Sequence, residues 1–353
     1  MSNHDYRILK DSLIEVDRKR LIEIYEKQLE IAKDIIDQNI DRDREHLRLV
    51  NFTAEPFLYN GTVHHETEYL LVAVEPLYSI SVKNFDLAIF NQKSKVIILV
   101  ECKSSISDVG KEINDLVLAS STADDKLKEL ENIVGSSIQV KEVAICVNAA
   151  YTRRVREFIA QKNLPICLWG ADRASDMLFM EKQGEDTKIE IERGRIHHDA
   201  ALAGLLLRGI KSQGLIRSIP FLPSSHTCTI LEEIVPLLLL KAGEADRFHL
   251  SDLRNILMNE SYLTNFDDRE LWRLSESILE KAIQVDVLRY RSPTGDPKLA
   301  EFETVVRRSQ IRDIRKKYTD FNSKRIAEEA SLKEFEDLKK SKAAGNAKIT
   351  DFK

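Results

Sequence analysis

The sequence predicts an α/β protein: a mixed sheet flanked by helices, followed by a mainly helical unit. Three observations predict it. Short runs of branched apolar residues read as strands buried on both faces, Val96-Ile97-Ile98-Leu99-Val100 being the most continuous. Between those runs lie longer stretches with apolar residues at helical spacing, and beyond the Pro220–Pro223 segment the helical spacing dominates. The chain has 353 residues, 43% hydrophobic and 31% charged, which suits a globular protein with room for two domains. Nothing approaches about 20 uninterrupted apolar residues, and Met1-Ser2-Asn3-His4-Asp5 carries no leader pattern, so a cytoplasmic protein without a membrane partner is expected. Cys102, Cys146, Cys167 and Cys228 show no C-x-x-C spacing and read as small core residues in a reducing compartment, not as a zinc site.

Taken in order, residues 1–42 form an N-terminal helical arm. Leu9, Leu13, Val16, Ile24 and Ile35 or Ile36 recur among charges of both signs, and no Gly or Pro occurs before Pro56. Residues 43–182 form the next unit. Its strands are Glu68 to Val74, Phe85 to Asn91, Val96 to Val100 capped by Glu101-Cys102-Lys103, Val140 to Asn148 and Pro165 to Trp169. Helices are expected over Asp108 to Glu131, with Val109, Ile113, Val117 and Leu118, and over Tyr151 to Lys162, with Val155, Phe158 and Ile159 on one side. Residues 183–225 connect: a turn at Gln183-Gly184-Glu185-Asp186, an alternating strand from Thr187 to Glu192, a helix over about 199–212, and a linker at Pro220-Phe221-Leu222-Pro223-Ser224-Ser225. Residues 226–304 carry an apolar helix from Ile230 to Lys241, a second from Asp252 to Met258 capped by Ser251, and a third from Asp267 to about Ile283. Two strands then flank the turn from Ser292 to Pro297. Three helices followed by a hairpin resemble a winged helix. Residues 305–338 read as a basic helical extension and 339–353 as a flexible tail.

The chemistry concentrates at the end of the third strand. Glu101-Cys102-Lys103 follows the apolar run directly, and strand alternation puts Glu101 and Lys103 on one face. An unpaired buried charge costs several kcal/mol or more, so charges at the end of such a strand call for a reason. Gln92-Lys93-Ser94-Lys95 is of hairpin length, and folding it brings Asp86 close to Glu101. Two carboxylates and an ammonium then converge at one sheet end.

Asp86 with Glu101-Cys102-Lys103, in the order helix, three meandering strands, helix, strand, resembles the PD-(D/E)xK nuclease superfamily over roughly residues 43–170. Phe85 stands where that family's proline does, a position without a chemical role. The resemblance implies a restriction-endonuclease-like fold and Mg²⁺ or Mn²⁺ held by Asp86, Glu101 and the backbone carbonyl of Cys102. Lys103 would orient the attacking water or neutralise charge on the phosphate. A hard divalent cation held by carboxylates suits phosphodiester hydrolysis. Members often add an acid from the helix before the first strand, for which Glu45, Glu55 and Glu66 all qualify.

The net charge of −5 is not that of an overall nucleic-acid binder, so DNA contact would fall to local basic clusters. The third helix of the C-terminal unit mixes Asp268, Glu270, Glu276 and Glu280 with Arg269, Arg273 and Lys281. The wing, with Arg289 and Arg291, and the segment Arg307, Arg308, Arg312, Arg315, Lys316 and Lys317 suit phosphates better. Arg153, Arg154 and Arg156 read as solvent-exposed, and the pairs His64-His65 and His197-His198 point their side chains apart and chelate poorly. The last residues, with Ile349 and Phe352, resemble a degenerate sliding-clamp peptide. The expected protein is a Mg²⁺-dependent DNA endonuclease of restriction or defence type. A repair nuclease and a non-catalytic DNA-binding protein are the alternatives. A homodimer is expected from the symmetry of double-strand cutting.

Overall fold

The computed structural model describes residues 6, 10, 13–78, 84–184, 186–212, 219–242, 247–260, 263, 265–292, 300–306 and 312–350, with 242, 260, 292 and 341–350 described for backbone alone. The chain is mixed α/β, as the sequence predicts. Helix α1 (Glu15–Ala54) leads through a 3-10 turn at Pro56 into α2 (Thr62–Thr67). A sheet follows whose strands lie side by side in chain order: β1 (Tyr69–Val74), β2 (Leu87–Asn91), β3 (Val96–Lys103), β4 (Val140–Asn148), β5 (Cys167–Asp172), β6 (Met177–Met180) and β7 (Ile210–Lys211). Strands β3, β4 and β5 run parallel to one another, and the remaining neighbours pair antiparallel. The parallel steps are bridged by α3 (Val109–Asp125) with α4 (Leu127–Val134), and by α5 (Ala149–Lys162).

The alternation of β3 separates two cores. Ile98, Val100 and Cys102 face Leu47, Val50 and Ala54 of α1, with Phe57 stacked on Trp169 at 5.6 Å. Ile97 and Leu99 face Ile113 and Leu116 of α3 and Val155 and Ile159 of α5. Lys103 and Glu101 continue the second row, so they emerge at the end of the α3 face.

Several expected elements are corrected. Thr187 to Glu192 is helix α6, not a strand, because the Asp186 carboxylate accepts from the backbone N–H groups of Lys188 and Ile189 and so nucleates a helical turn. The helix expected over 108–131 is two, broken at Lys126. That expected over 199–212 is α7 (Ala200–Arg208), stopped by Gly209 at φ +83°, after which β7 joins the sheet. The linker at 220–225 is a packed segment, with Phe221 and Leu222 fully buried. Ser251 lies inside a helix that begins one residue earlier, where Asp252 accepts from His249 N–H.

The C-terminal unit comprises α8 (Thr227–Ala242), β8 (Arg247–His249), α9 (Leu250–Glu260), α10 (Asp268–Gln284), β9 (Leu288–Ser292) and β10 (Glu301–Thr304), with an antiparallel sheet ordered β8-β10-β9. Asp267 and Glu270 form a reciprocal capping box at the start of α10. The apolar interior of this unit, including Leu231, Leu253, Leu279 and Phe302, is continuous with the α1 side of the large sheet. Helix α11 (Asp313–Thr350) then packs along α1. Leu21 and Ile24 meet Leu332 and Phe335, and Arg315 bonds Asp37 at 2.9 Å and Asp41 at 2.7 Å. Its backbone stays helical to Thr350, where the sequence predicts a flexible tail. Lysines and alanines in that stretch are good helix formers. Phe352 of the clamp-like peptide lies outside the described residues.

Candidate active site

Asp86, Glu101 and Lys103 converge as the hairpin requires. Leu87 pairs with Val100, and Asp86 N–H donates to the Val100 carbonyl at 3.0 Å, which sets Asp86 beside Glu101. Asp86 is clamped at both oxygens. Its Oδ2 accepts from Cys102 N–H at 2.6 Å and its Oδ1 lies 3.0 Å from His46 Nε2 on α1. Lys103 Nζ bridges Glu101 at 2.7 Å and Glu112 of α3 at 3.2 Å. His46, Asp86, Glu101 and Lys103 line a cleft of about 360 Å³ together with Glu75, Tyr78, Asn84, Phe85 and Ser224. A smaller chamber of about 200 Å³ opens beside it between Asn84, Glu101, Lys103 and the α3 residues Glu112 and Asp115.

The electrostatics follow from enclosing so many charges. Burial alone would raise Asp86, but the His46 imidazole and the Cys102 N–H prevail and hold it below the usual carboxylate range. Glu101 moves the other way, up to about 7, through burial first and then the neighbouring Asp86 charge, against the pull of Lys103. Burial works to lower Lys103 and His46, yet carboxylates outweigh it: Glu101 raises Lys103, and Asp86 brings His46 up to about 9. The cleft holds more acidic groups than its one lysine and one histidine balance.

The candidates for an extra upstream acid are not in this cleft. Glu45 pairs with Arg48 and, at 2.7 Å, with Arg173; Glu55 accepts from the Ser212 hydroxyl; Glu66 is exposed. His46 of α1 and Glu75, the residue after β1, line the cleft instead, the first held on Asp86 and the second on Ser224. Glu75 has φ +42°, an uncommon value for a residue with a side chain, costing about 1–3 kcal/mol. Burial pushes its carboxyl up to about 7, although Ser224 donates to it through both backbone N–H and hydroxyl. No local sequence signal marks either residue. His46 lies 40 positions before Asp86, and Ser224 lies 149 positions after Glu75.

Among the described residues, no three His, Cys, Asp or Glu side chains are already gathered as a metal cage. Mg²⁺ does not ask for one, since it takes one or two carboxylates and keeps waters or substrate phosphate oxygens for its other positions. The donors here are of that type: Asp86, Glu101 and the Cys102 carbonyl, in a pocket where burial and then the Asp86 charge raise Glu101. The chemistry of the donor set therefore fits a hard divalent cation. The Cys102 thiol is fully buried on the opposite face of β3 and takes no part.

The basic residues named for DNA contact divide. Arg289 and Arg291 both reach Glu303 across the β9–β10 pair, at 2.5 and 3.5 Å. Arg315 is held by Asp37 and Asp41, and Lys317 by Asp286 at 2.7 Å. Arg312 and Lys316 are exposed at the start of α11, and Arg307 and Arg308 lie outside the described residues. Arg153 pairs with Glu157, and Arg156 with Glu181.

A second polar cluster sits under the sheet, away from the cleft. His197 is fully buried, with Nδ1 2.5 Å from Glu142 Oε2 and Nε2 receiving the Trp169 indole N–H at 2.9 Å. An indole N–H only donates, which assigns Nε2 as acceptor and makes Nδ1 the proton donor to Glu142. His198 completes the cluster at 2.8 Å from Glu142 Oε1. The adjacent histidines thus converge on one carboxylate, where strand alternation would have pointed their side chains apart.

No protein-family pattern, curated protein or solved structure matches the chain. None of the helices among the described residues is long and apolar enough to cross a membrane.

Proposed function

We propose that the chain is a Mg²⁺- or Mn²⁺-dependent nuclease that hydrolyses DNA phosphodiester bonds, with a restriction-endonuclease-like catalytic region and a winged-helix-like C-terminal unit that contributes to DNA recognition. The observation that carries the reading is the meeting of Asp86, Glu101 and Lys103 in one cleft, on adjacent strands, with Lys103 Nζ 2.7 Å from Glu101. The element order helix, strand, helix, helix, hairpin, with sheet order β8-β10-β9, supports the winged-helix part of the reading.

Asp86 and Glu101 would hold the cation, with the Cys102 carbonyl as a third oxygen. A bound divalent cation supplies a Lewis acid for the scissile phosphate and lowers the pKa of coordinated water. Asp86 is presented for this by the β-ladder and by its bond from Cys102 N–H. The Lys103 ammonium, a compact charge on a strand rather than a loop, sits where it can orient an attacking water or offset charge growing on a phosphate oxygen. Glu112 shares that ammonium and restrains its position. His46 holds the Asp86 carboxylate from the side opposite Cys102.

The test is cleavage of mixed plasmid and genomic DNA, methylated and unmethylated, with Mg²⁺ or Mn²⁺, by the wild type beside Asp86→Asn. Discrete fragments from the wild type alone would indicate a restriction-type enzyme. Nicks or smears would indicate repair or structure-selective work. DNA binding without cleavage on any substrate would leave a non-catalytic DNA-binding protein and sink the nuclease reading.

A further inference from the structure

We propose that Glu75 is a positioning residue through which the C-terminal unit sets the geometry of the Asp86 end of the cleft. The inference rests on the nuclease reading above and concerns how that site is assembled. Glu75 N–H donates to the Asp86 carbonyl at 3.0 Å, one step beyond the β1–β2 pairing, so the backbone at Glu75 fixes where the backbone at Asp86 lies. That backbone bends through φ +42°, which a residue with a side chain keeps only when its surroundings impose it.

The surroundings that impose it come from the far part of the chain. Ser224, just before α8, donates to the Glu75 carboxylate from its backbone N–H at 2.8 Å and from its hydroxyl. Asn265, in the α9–α10 connection, donates its side-chain amide to the Glu75 carbonyl at 3.3 Å. Next to it Phe266 stacks on Tyr78 at 5.7 Å, and Tyr78 N–H closes a turn onto the Glu75 carbonyl at 3.0 Å. Glu75, Tyr78 and Ser224 all line the Asp86–Glu101 cleft. The unit read as a DNA reader thus meets the wall of the cleft through Asn265 and Phe266, and the segment that leads into it is bonded there through Ser224. A shift of α8 or α10 on binding DNA would reach Asp86 through a single residue.

The side chain of Glu75 acts here as an acceptor for Ser224, not as a charge aimed at a cation, and that distinction is testable. Glu75→Gln keeps one oxygen for the Ser224 N–H and offers its amide NH2 to the Ser224 hydroxyl, which accepts as well as donates, whereas Glu75→Ala removes both partners; Ser224→Ala removes the hydroxyl and Ser224→Thr restores one. Mn²⁺ affinity would be measured by calorimetry, and kcat and KM for DNA cleavage at a temperature well below the Tm of each variant. The expected result is a loss of about tenfold in Mn²⁺ affinity and in kcat for Glu75→Ala and Ser224→Ala, an unchanged KM for DNA, and near wild-type values for Glu75→Gln and Ser224→Thr. A merely structural contact would lower Tm and leave affinity and kcat in place, which would overturn the proposal. Equal damage from Glu75→Gln and Glu75→Ala would also overturn it, by assigning the role to the negative charge. A wild type that neither binds Mn²⁺ nor cleaves would remove the nuclease reading and this inference together, whereas an active wild type with indifferent variants would remove only the inference.

Discussion

His197 shows most sharply how single residues are fixed by chemistry that a pattern does not carry. Its neighbours Trp169 and Glu142 come from strands β5 and β4, so nothing within reach of His197 in the chain announces the pair. Replacing it with Ala would leave the enclosed Glu142 carboxylate without one of its donors, at a cost of about 3 kcal/mol in urea unfolding. The same carboxylate makes a pH prediction. Burial acts to raise Glu142, but the hydrogen bonds from His197 and His198 bring it down to about 2, against an ordinary value of 4.5. A depressed carboxyl contributes stability that is fully present above the unfolded value and disappears as pH falls through the folded one. The wild-type Tm should therefore fall steeply between about pH 4.5 and 2, and Glu142→Gln should lower the plateau and flatten that fall. Parallel Tm–pH curves for the two proteins would contradict the assignment. The catalytic candidates were legible at this scale for a plain reason. Asp86, Glu101 and Lys103 sit on one hairpin, where a period of two and a short turn determine who meets whom. His46 and Glu75 reach the same cleft only through tertiary packing, and no spacing rule connects them to it.

At the scale of elements, the strands β1 to β5 and most of the helices were legible because each buries a face against the sheet, and burial writes a period into the sequence. The failures have particular causes. Thr187 to Glu192 alternates like a strand, but the Asp186 cap decides its conformation locally. Strands β6 and β7 are too short to show a period, and β7 exists only because Gly209 ends α7 beside the sheet edge. The prolines around Phe221 read as a linker because they punctuate, yet the residues between them fill the core. The pairing of α1 with α11 could not be foreseen, since each helix spreads its apolar positions thinly among charges. Leu21 is fully buried in that pairing, so Leu21→Ala should cost about 2–5 kcal/mol in chemical denaturation. A loss under about 0.5 kcal/mol, the level of an exposed site, would show that the two helices do not pack there in solution.

For the whole molecule, the question is how a chain of net charge −5 would hold a polyanion. The cation and Lys103 would balance acid in the cleft, and the grip would come from basic groups not already spoken for. Arg312 and Lys316 are exposed, while Arg315 is fastened to Asp37 and Asp41. If the start of α11 lies along DNA, Arg312→Ala and Lys316→Ala should each reduce the slope of log K against log salt by about 0.9. Arg315→Ala should leave that slope unchanged and instead loosen α11 from α1. The reverse pattern, with Arg315 alone affecting the slope, would place DNA on a different face. The continuity of apolar packing from the large sheet into the C-terminal unit makes the two parts one body, and Glu75 lies where they meet at the cleft.

The central claim is that Asp86, Glu101 and Lys103 form a metal-dependent phosphodiesterase centre, and Lys103 is its most exacting member. The most direct test compares Mg²⁺- and Mn²⁺-dependent DNA cleavage by the wild type and Lys103→Ala, with DNA binding and Tm followed in both. The account predicts a fall in cleavage of at least about 10²-fold with binding and fold retained. Equal cleavage by the two proteins would contradict it.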